Sequence, residues 1–211
     1  PLASLKSASE ILQDTNNSDQ RLKLLNILNH DVQRIERLIT DYSQMLKDEV
    51  ALSKEKMKKI NIEPIIQSVV DDYNSIYKVK KDIKINYEDD GKKEYSINGI
   101  ENRIEQMIAN LLDNSISFTE KGGKIIVNIS ISSNRKITVK IIDEGQGFKE
   151  KDTSKIFRRF YSNRPDKFGE HSGLGLNIVK NLVELHDGKI LASNRPNNKG
   201  AIIEISFPSM Q

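Results

Sequence analysis

Cysteine is missing altogether from these 211 residues. Its absence excludes disulfide frameworks, thiolate zinc sites, iron–sulfur clusters and cysteine nucleophiles together. Histidine is scarce, with three residues and no tight cluster, which argues against a histidine-built metal centre. No apolar run approaches the roughly 20 residues that span a bilayer, and no basic–apolar–small-residue leader is visible. Neither sign of charge prevails: 33 Lys and Arg stand against 30 Asp and Glu, interleaved, so no nucleic-acid footprint is expected. With 11 glycines, 5 prolines and 36% hydrophobic residues, the chain is neither collagen-like nor disordered. Its length suits one large domain or two small ones with a sizeable core. It is expected to be soluble, to belong to a reducing compartment and, since it begins at Pro1, to be a fragment.

What is present begins with helical periodicity. Apolar positions run Leu25, Leu28, Val32, Ile35, Ile39, Tyr42 and Leu46, in alternating steps of three and four. That is an a/d seam, flanked by Arg34, Glu36, Arg37, Asp41 and Lys47, and it predicts a long helix packed along another. Leu2, Leu5, Ala8 and Leu12 make a shorter stripe, and a polar cluster at 14–19 separates the two with turn and N-cap residues. A two-helix hairpin cannot easily bury such a seam alone, so residues 1–50 are expected to form a homodimeric four-helix bundle.

The charged stretch 54–60 reads as a linker between a hairpin at 1–53 and a second domain at 61–211. There, 64–77, 100–118 and 175–185 have helical spacing, whereas 83–87, 125–131, 137–142, 189–191 and 201–207 read as strands. Residues 132–135 carry a hairpin signal. Consecutive strands with helices to one side predict an α+β sandwich rather than a doubly wound sheet.

Four patterns in this second domain carry chemistry. Asn110 and Asn114 present two amides on one helical face, and amide oxygens are hard ligands suited to Mg2+. Asp143-Glu144-Gly145-Gln146-Gly147 follows a strand; a carboxylate there can accept from an exocyclic amine, while Gly145 and Gly147 let backbone approach a ring. Lys155-Ile156-Phe157-Arg158-Arg159-Phe160-Tyr161 is aromatic and basic, and Arg159, turned inward, could meet a phosphate. His171-Ser172-Gly173-Leu174-Gly175-Leu176-Asn177 opens a helix with glycines two apart, an anion site of free N–H groups and helix dipole. Alone, each has a bland reading: surface asparagines, a common turn, core phenylalanines, a weak glycine pair. Their combination in this order is far more specific.

Together they resemble the N box, first glycine box, F box and second glycine box of the Bergerat-type ATP-binding domain of sensor histidine kinases. Pro1-Leu2-Ala3-Ser4-Leu5 looks like the tail of the H box, and 31–39 like the second helix of the dimerisation and phosphotransfer domain, so the resemblance covers the whole chain. The F-box wording, Arg164-Pro165 and the string at 171–176 look most like the ChvG-type envelope sensor kinases of alphaproteobacteria. The resemblance implies a Bergerat sandwich with a mixed, largely antiparallel sheet, and ATP and Mg2+ as cofactors. Asp143 would accept the adenine amino group, Gly145 and Gly147 would shape the adenine floor, and Asn114 would ligate Mg2+ with Asn110 beside it. Backbone amides of Gly173, Leu174, Gly175 and Leu176 would meet the phosphates; Ser117, Arg159, Phe160 and His171 complete the implied ATP-binding set. Residues 148–172 would form a lid. The implied reaction moves the γ-phosphoryl group to a histidine and then to an aspartate of a response-regulator receiver domain docked on the hairpin. The chain would be a cytoplasmic domain of an inner-membrane sensor kinase, reaching the membrane only through N-terminal segments outside it.

Two departures accompany the resemblance. Many members carry Lys or Arg three residues after the second Asn, where this chain has Ser117, so a phosphate contact would be either lost or supplied elsewhere, by Arg159 or His171. The acceptor histidine would precede Pro1: His30 reads as a solvated helix-face residue and His186 as a residue at a helix C-terminus. The chain is therefore expected to bind ATP without phosphorylating itself. The rival readings are a gyrase-like ATPase, which uses Glu where Asn110 stands, a serine kinase of the same superfamily, and a dimeric pseudokinase scaffold.

Overall fold

The computed structural model describes residues 2–15, 17–52, 55–92, 94–149, 152–159, 161, 173–196 and 199–210, with backbone alone at 34, 37, 38, 41 and 44–52. Of the described residues, those of 2–52 together with Gly173 and Leu174 fall in one compact unit; those of 55–161 and 175–210 make another. In the first, α1 (Leu2–Asp14) packs on α2 (Ser18–Leu52). The polar link between them also starts α2: Asn17 Oδ1 accepts the N–H groups of Asp19 and Gln20 at 3.0 and 3.2 Å. With 13 residues, α1 is too short to shield the 35 of α2. Leu28 and Ile35 are half-buried, but Leu25, Val32, Ile39 and Tyr42 stay exposed, Ile39 at 62%. The side chain of Leu46 lies outside those described. Among the described residues, no helix is long and apolar enough to cross a membrane.

The second unit opens with β1 (Lys58–Asn61), so the stretch expected to be a linker ends in a strand. Its antiparallel partner is β3 (Ser96–Gly99), with buried Ile60 opposite buried Ile97. Strands of four residues offer too short an alternation to be recognised beforehand. Just ahead of β1, Glu55 is gripped by buried Arg103, whose Nε and Nη2 donate to Oε2 and Oε1 at 3.2 and 3.1 Å. This fork-to-fork pair ties the start of the unit to α4 (Glu101–Phe118).

A five-stranded sheet has the order β2 (Lys84–Asp89), β4 (Lys124–Ile131), β5 (Lys136–Asp143), β7 (Ala201–Pro208), β6 (Lys189–Asn194). β2 runs parallel to β4 and each other neighbouring pair is antiparallel, which makes the expected α+β fold with a mixed sheet. Alternation decides which face is covered: in β5, Ile137, Val139 and Ile141 are buried, while Thr138, Lys140 and Ile142 are partly exposed. Helices α3 (Ile62–Lys81), α4 and α5 (Gly175–Leu185) bring Val70, Ile108, Leu111, Val179 and Val183 to the core. Tyr73 of α3 donates to Asp113 Oδ1 of α4 at 3.0 Å, and burial together with that carboxylate pushes its phenol pKa up.

Candidate functional site

Asp143 ends β5 and is 4% exposed. Its Oδ1 accepts two backbone N–H groups, from Gly145 at 2.9 Å and from Ala201 at 3.1 Å. Burial pushes the carboxyl pKa up; the two N–H groups, the Ser115 hydroxyl and the Arg195 charge work against the shift. The outcome is a hydrogen-bond acceptor with fixed direction.

Space around it admits only glycine at two positions. A Cβ on Gly145 would come within 2.9 Å of the Phe118 carbonyl oxygen and 3.0 Å of Asp143 Oδ1. At Gly200, where φ is +128, a Cβ would lie 2.0 Å from the Asp143 carbonyl oxygen. Asn194 holds the loop beyond Gly147: its Oδ1 accepts from Phe148 N–H at 2.6 Å and its Nδ2 donates to the Phe148 carbonyl at 2.9 Å.

On α4, Asn110 and Asn114 are half-buried and one turn apart, away from the face that buries Ile104, Ile108 and Leu112. A Cβ on Gly175 would lie 3.9 Å from Asn110 Oδ1, so the fold brings the asparagine face to the first residue of α5. Ser117 is buried and its Oγ donates to the Asn114 carbonyl at 2.6 Å, so that hydroxyl is occupied by its own helix. A 3₁₀ turn, Thr153–Phe157, is tied to β6 by Thr153 Oγ1, which donates to the Ala192 carbonyl at 2.8 Å. Ile156 and Phe157 are buried, and Arg158 and Arg159 leave the turn exposed. Gly173 takes φ +74, Leu174 is buried and Leu176 is half-buried. Phe160 and His171 lie outside the described residues, as does most of the stretch expected to be a lid. No group of three or more His, Asp or Glu among the described residues is placed to hold a metal. Two neutral amide oxygens at Asn110 and Asn114 do fit Mg2+, which keeps waters and takes phosphate oxygens to complete its shell.

Residues 99–211, which include all these positions, match the family of histidine kinase-, DNA gyrase B- and HSP90-like ATPases. The chain belongs to this family. Among its relatives, sensor protein ChvG of Rhizobium meliloti (strain 1021) is 35% identical over 98% of this chain, and the chain spans 37% of that protein's length. The catalytic domain of histidine kinase ThkA, solved free of nucleotide, superimposes with a TM-score of 0.63 at 26% identity, covering 74% of this chain and 97% of that one. ThkA in complex with the response regulator TrrA covers 99% of this chain and 60% of that chain at a TM-score of 0.66; with 22% identity this is a likeness of fold. The resemblance carried by the four boxes is thus met by relatives of the kind it named.

Motif reading missed the residues of this ATPase-family fold that surround Asp143: Ser115, Asn194, Arg195, Gly200 and Ala201. Gly200, just ahead of the last strand, is the kind of signal that could have been followed, since a glycine there marks a close approach. The N–H of Ala201 carries no such signal, because any residue but proline supplies one.

Proposed function

We propose that this chain is the ATP-binding kinase core of a two-component sensor histidine kinase, dimeric through residues 1–50 and served by a receiver domain. The observation that carries the reading is the arrangement along α4. Asn110 Oδ1 meets the start of α5, and about 12 Å further along the helix Phe118 backs Gly145, which lies against Asp143 Oδ1. An amine-reading carboxylate and an anion-binding helix end are thereby set apart by the span of an extended nucleotide.

In this reading the adenine amino group donates to Asp143, and the side-chain-free backbone at Gly145 and Gly147 forms a floor for the ring. N–H groups of Gly175 and Leu176, with the positive end of α5, hold phosphate oxygens. Asn114 and Asn110 would hold Mg2+, which when bound supplies charge neutralisation at the phosphates. Transfer breaks the bond between the γ-phosphorus and the β,γ-bridging oxygen, leaving ADP, and forms a bond from phosphorus to an imidazole nitrogen of the acceptor histidine. A receiver aspartate takes the group next. The residues of this chain contribute positioning. An amide at position 110 is a poor base for activating water, which favours transfer over the hydrolysis of gyrase-like members. The core is read as lying in the cytoplasm, where ATP is available.

Calorimetric titration with a non-hydrolysable ATP analogue and Mg2+ tests the site. Saturable binding that Asp143→Asn weakens by about 1–3 kcal/mol is expected. A parent chain that binds no nucleotide refutes the reading and leaves the dimeric scaffold.

A further inference from the structure

Asn177 takes no part in the reading above. It sits in the first turn of α5, two residues after Gly175, and is 9% exposed. Its Nδ2 donates to the Phe157 carbonyl at 2.9 Å, across 20 positions of sequence. A carbonyl only accepts, so the NH2 end of the amide must face Phe157. Oδ1 is then left buried with no hydrogen-bond partner. A buried acceptor without a partner costs stability that alanine would not, so stability alone does not account for an amide here.

Its partner suggests what the amide does. Phe157 is the last residue of the 3₁₀ turn, its ring is buried, and the turn is anchored to β6 through Thr153. Arg158 and Arg159 follow directly, both exposed. The Asn177 bond therefore pins the point from which two guanidinium groups leave the backbone to the helix end where Gly175 meets Asn110.

We propose that Asn177 is a positioning residue that, through Phe157, holds Arg159 for the terminal phosphate of the nucleotide. Asn177 itself touches no ligand. The inference rests on the nucleotide reading of the site, and the experiment separates the two. The 211-residue chain is titrated calorimetrically with ADP and with AMP-PNP, both with Mg2+. The variants are Asn177→Ala, Asn177→Asp, Arg159→Ala and the Asn177→Ala, Arg159→Ala double. Asn177→Asp keeps the volume but offers the Phe157 carbonyl no donor, and it carries the test if Asn177→Ala fails to unfold cooperatively.

The parent is expected to prefer AMP-PNP. Each single variant should keep its ADP affinity within about twofold and lose about tenfold in that preference, the worth of one charged contact. The double variant should lose no more than Arg159→Ala, because both act through one contact. Equal weakening of ADP and AMP-PNP, additive losses in the double variant, or no preference in the parent would each overturn the positioning role. A parent that does not bind ADP at all instead sinks the nucleotide reading, and this inference with it.

Discussion

His186 Nε2 accepts the backbone N–H of Ile100 at 3.2 Å, across 86 positions of sequence, while its Nδ1 lies 2.6 Å from the Leu182 carbonyl oxygen. A backbone N–H only donates, so Nε2 carries the lone pair and Nδ1 the proton, and the ring is neutral. The histidine does close the end of α5, as expected from its position. It is also a buried strut to the start of α4, where the N-cap residue Ile100 has no side chain to cap with.

That strut makes stability depend on pH. Burial lowers the His186 pKa, against smaller opposing effects of the Leu182 carbonyl and Asp187. The unfolded chain takes up a proton near the ordinary histidine value of about 6.5, where the folded chain resists it. This contribution is full above that value and is lost as pH falls through it. Melting followed by circular dichroism should show Tm dropping between about pH 7 and about pH 5. His186→Leu should melt lower at neutral pH and show a shallower acid slope; an unchanged slope would reject the assignment.

Asp143 carries the opposite sign. Its pKa is raised by burial, so folding disfavours the charged form and the penalty grows as pH rises. Asp143→Asn can still accept the N–H groups of Gly145 and Ala201 and should melt no lower than the parent at neutral pH. Adenine-nucleotide binding by the parent should weaken on acidification, beginning above the ordinary aspartate value of about 3.9. In Asp143→Asn, affinity is lower and that acid limb is absent. Titrations across pH decide it.

Gly200→Ala isolates a steric clash from backbone strain. At Gly200 a Cβ would lie 2.0 Å from the Asp143 carbonyl oxygen, whereas at Gly91, φ +73, it would meet nothing within 4 Å. Urea denaturation should show a loss of about 1 kcal/mol for Gly91→Ala, from the left-handed conformation alone. Gly200→Ala should lose more than about 2 kcal/mol, and nucleotide binding with it.

The uncovered seam on α2 predicts self-association. Val32 and Ile39 are 45% and 62% exposed in the single chain although they occupy a/d positions. Sedimentation at micromolar concentration should give a dimer, and Val32→Asp with Ile39→Asp should give a monomer. A monomeric parent would remove the seam as an interface.

Much of this was legible from local spacing. Asn110 and Asn114, the long helix α2, the β4–β5 hairpin and the glycine pair at the start of α5 follow from patterns a few residues long, since helix and strand periods act over one or two turns. Such patterns say which side chain faces the core. They do not say which backbone N–H meets a carboxylate, because that depends on strand order. The grip of Asn177 on Phe157 spans 20 positions, and the bond from Ala201 to Asp143 spans 58. The β1–β3 pair, the place for Gly200 and the reach of His186 to Ile100 are likewise long-range. The sequence by itself determined the longer helices and strands and the residue types of the candidate site. Only the tertiary structure decided what holds those residues, because backbone donors and close approaches leave no mark in residue identity until distant strands and helices are packed together.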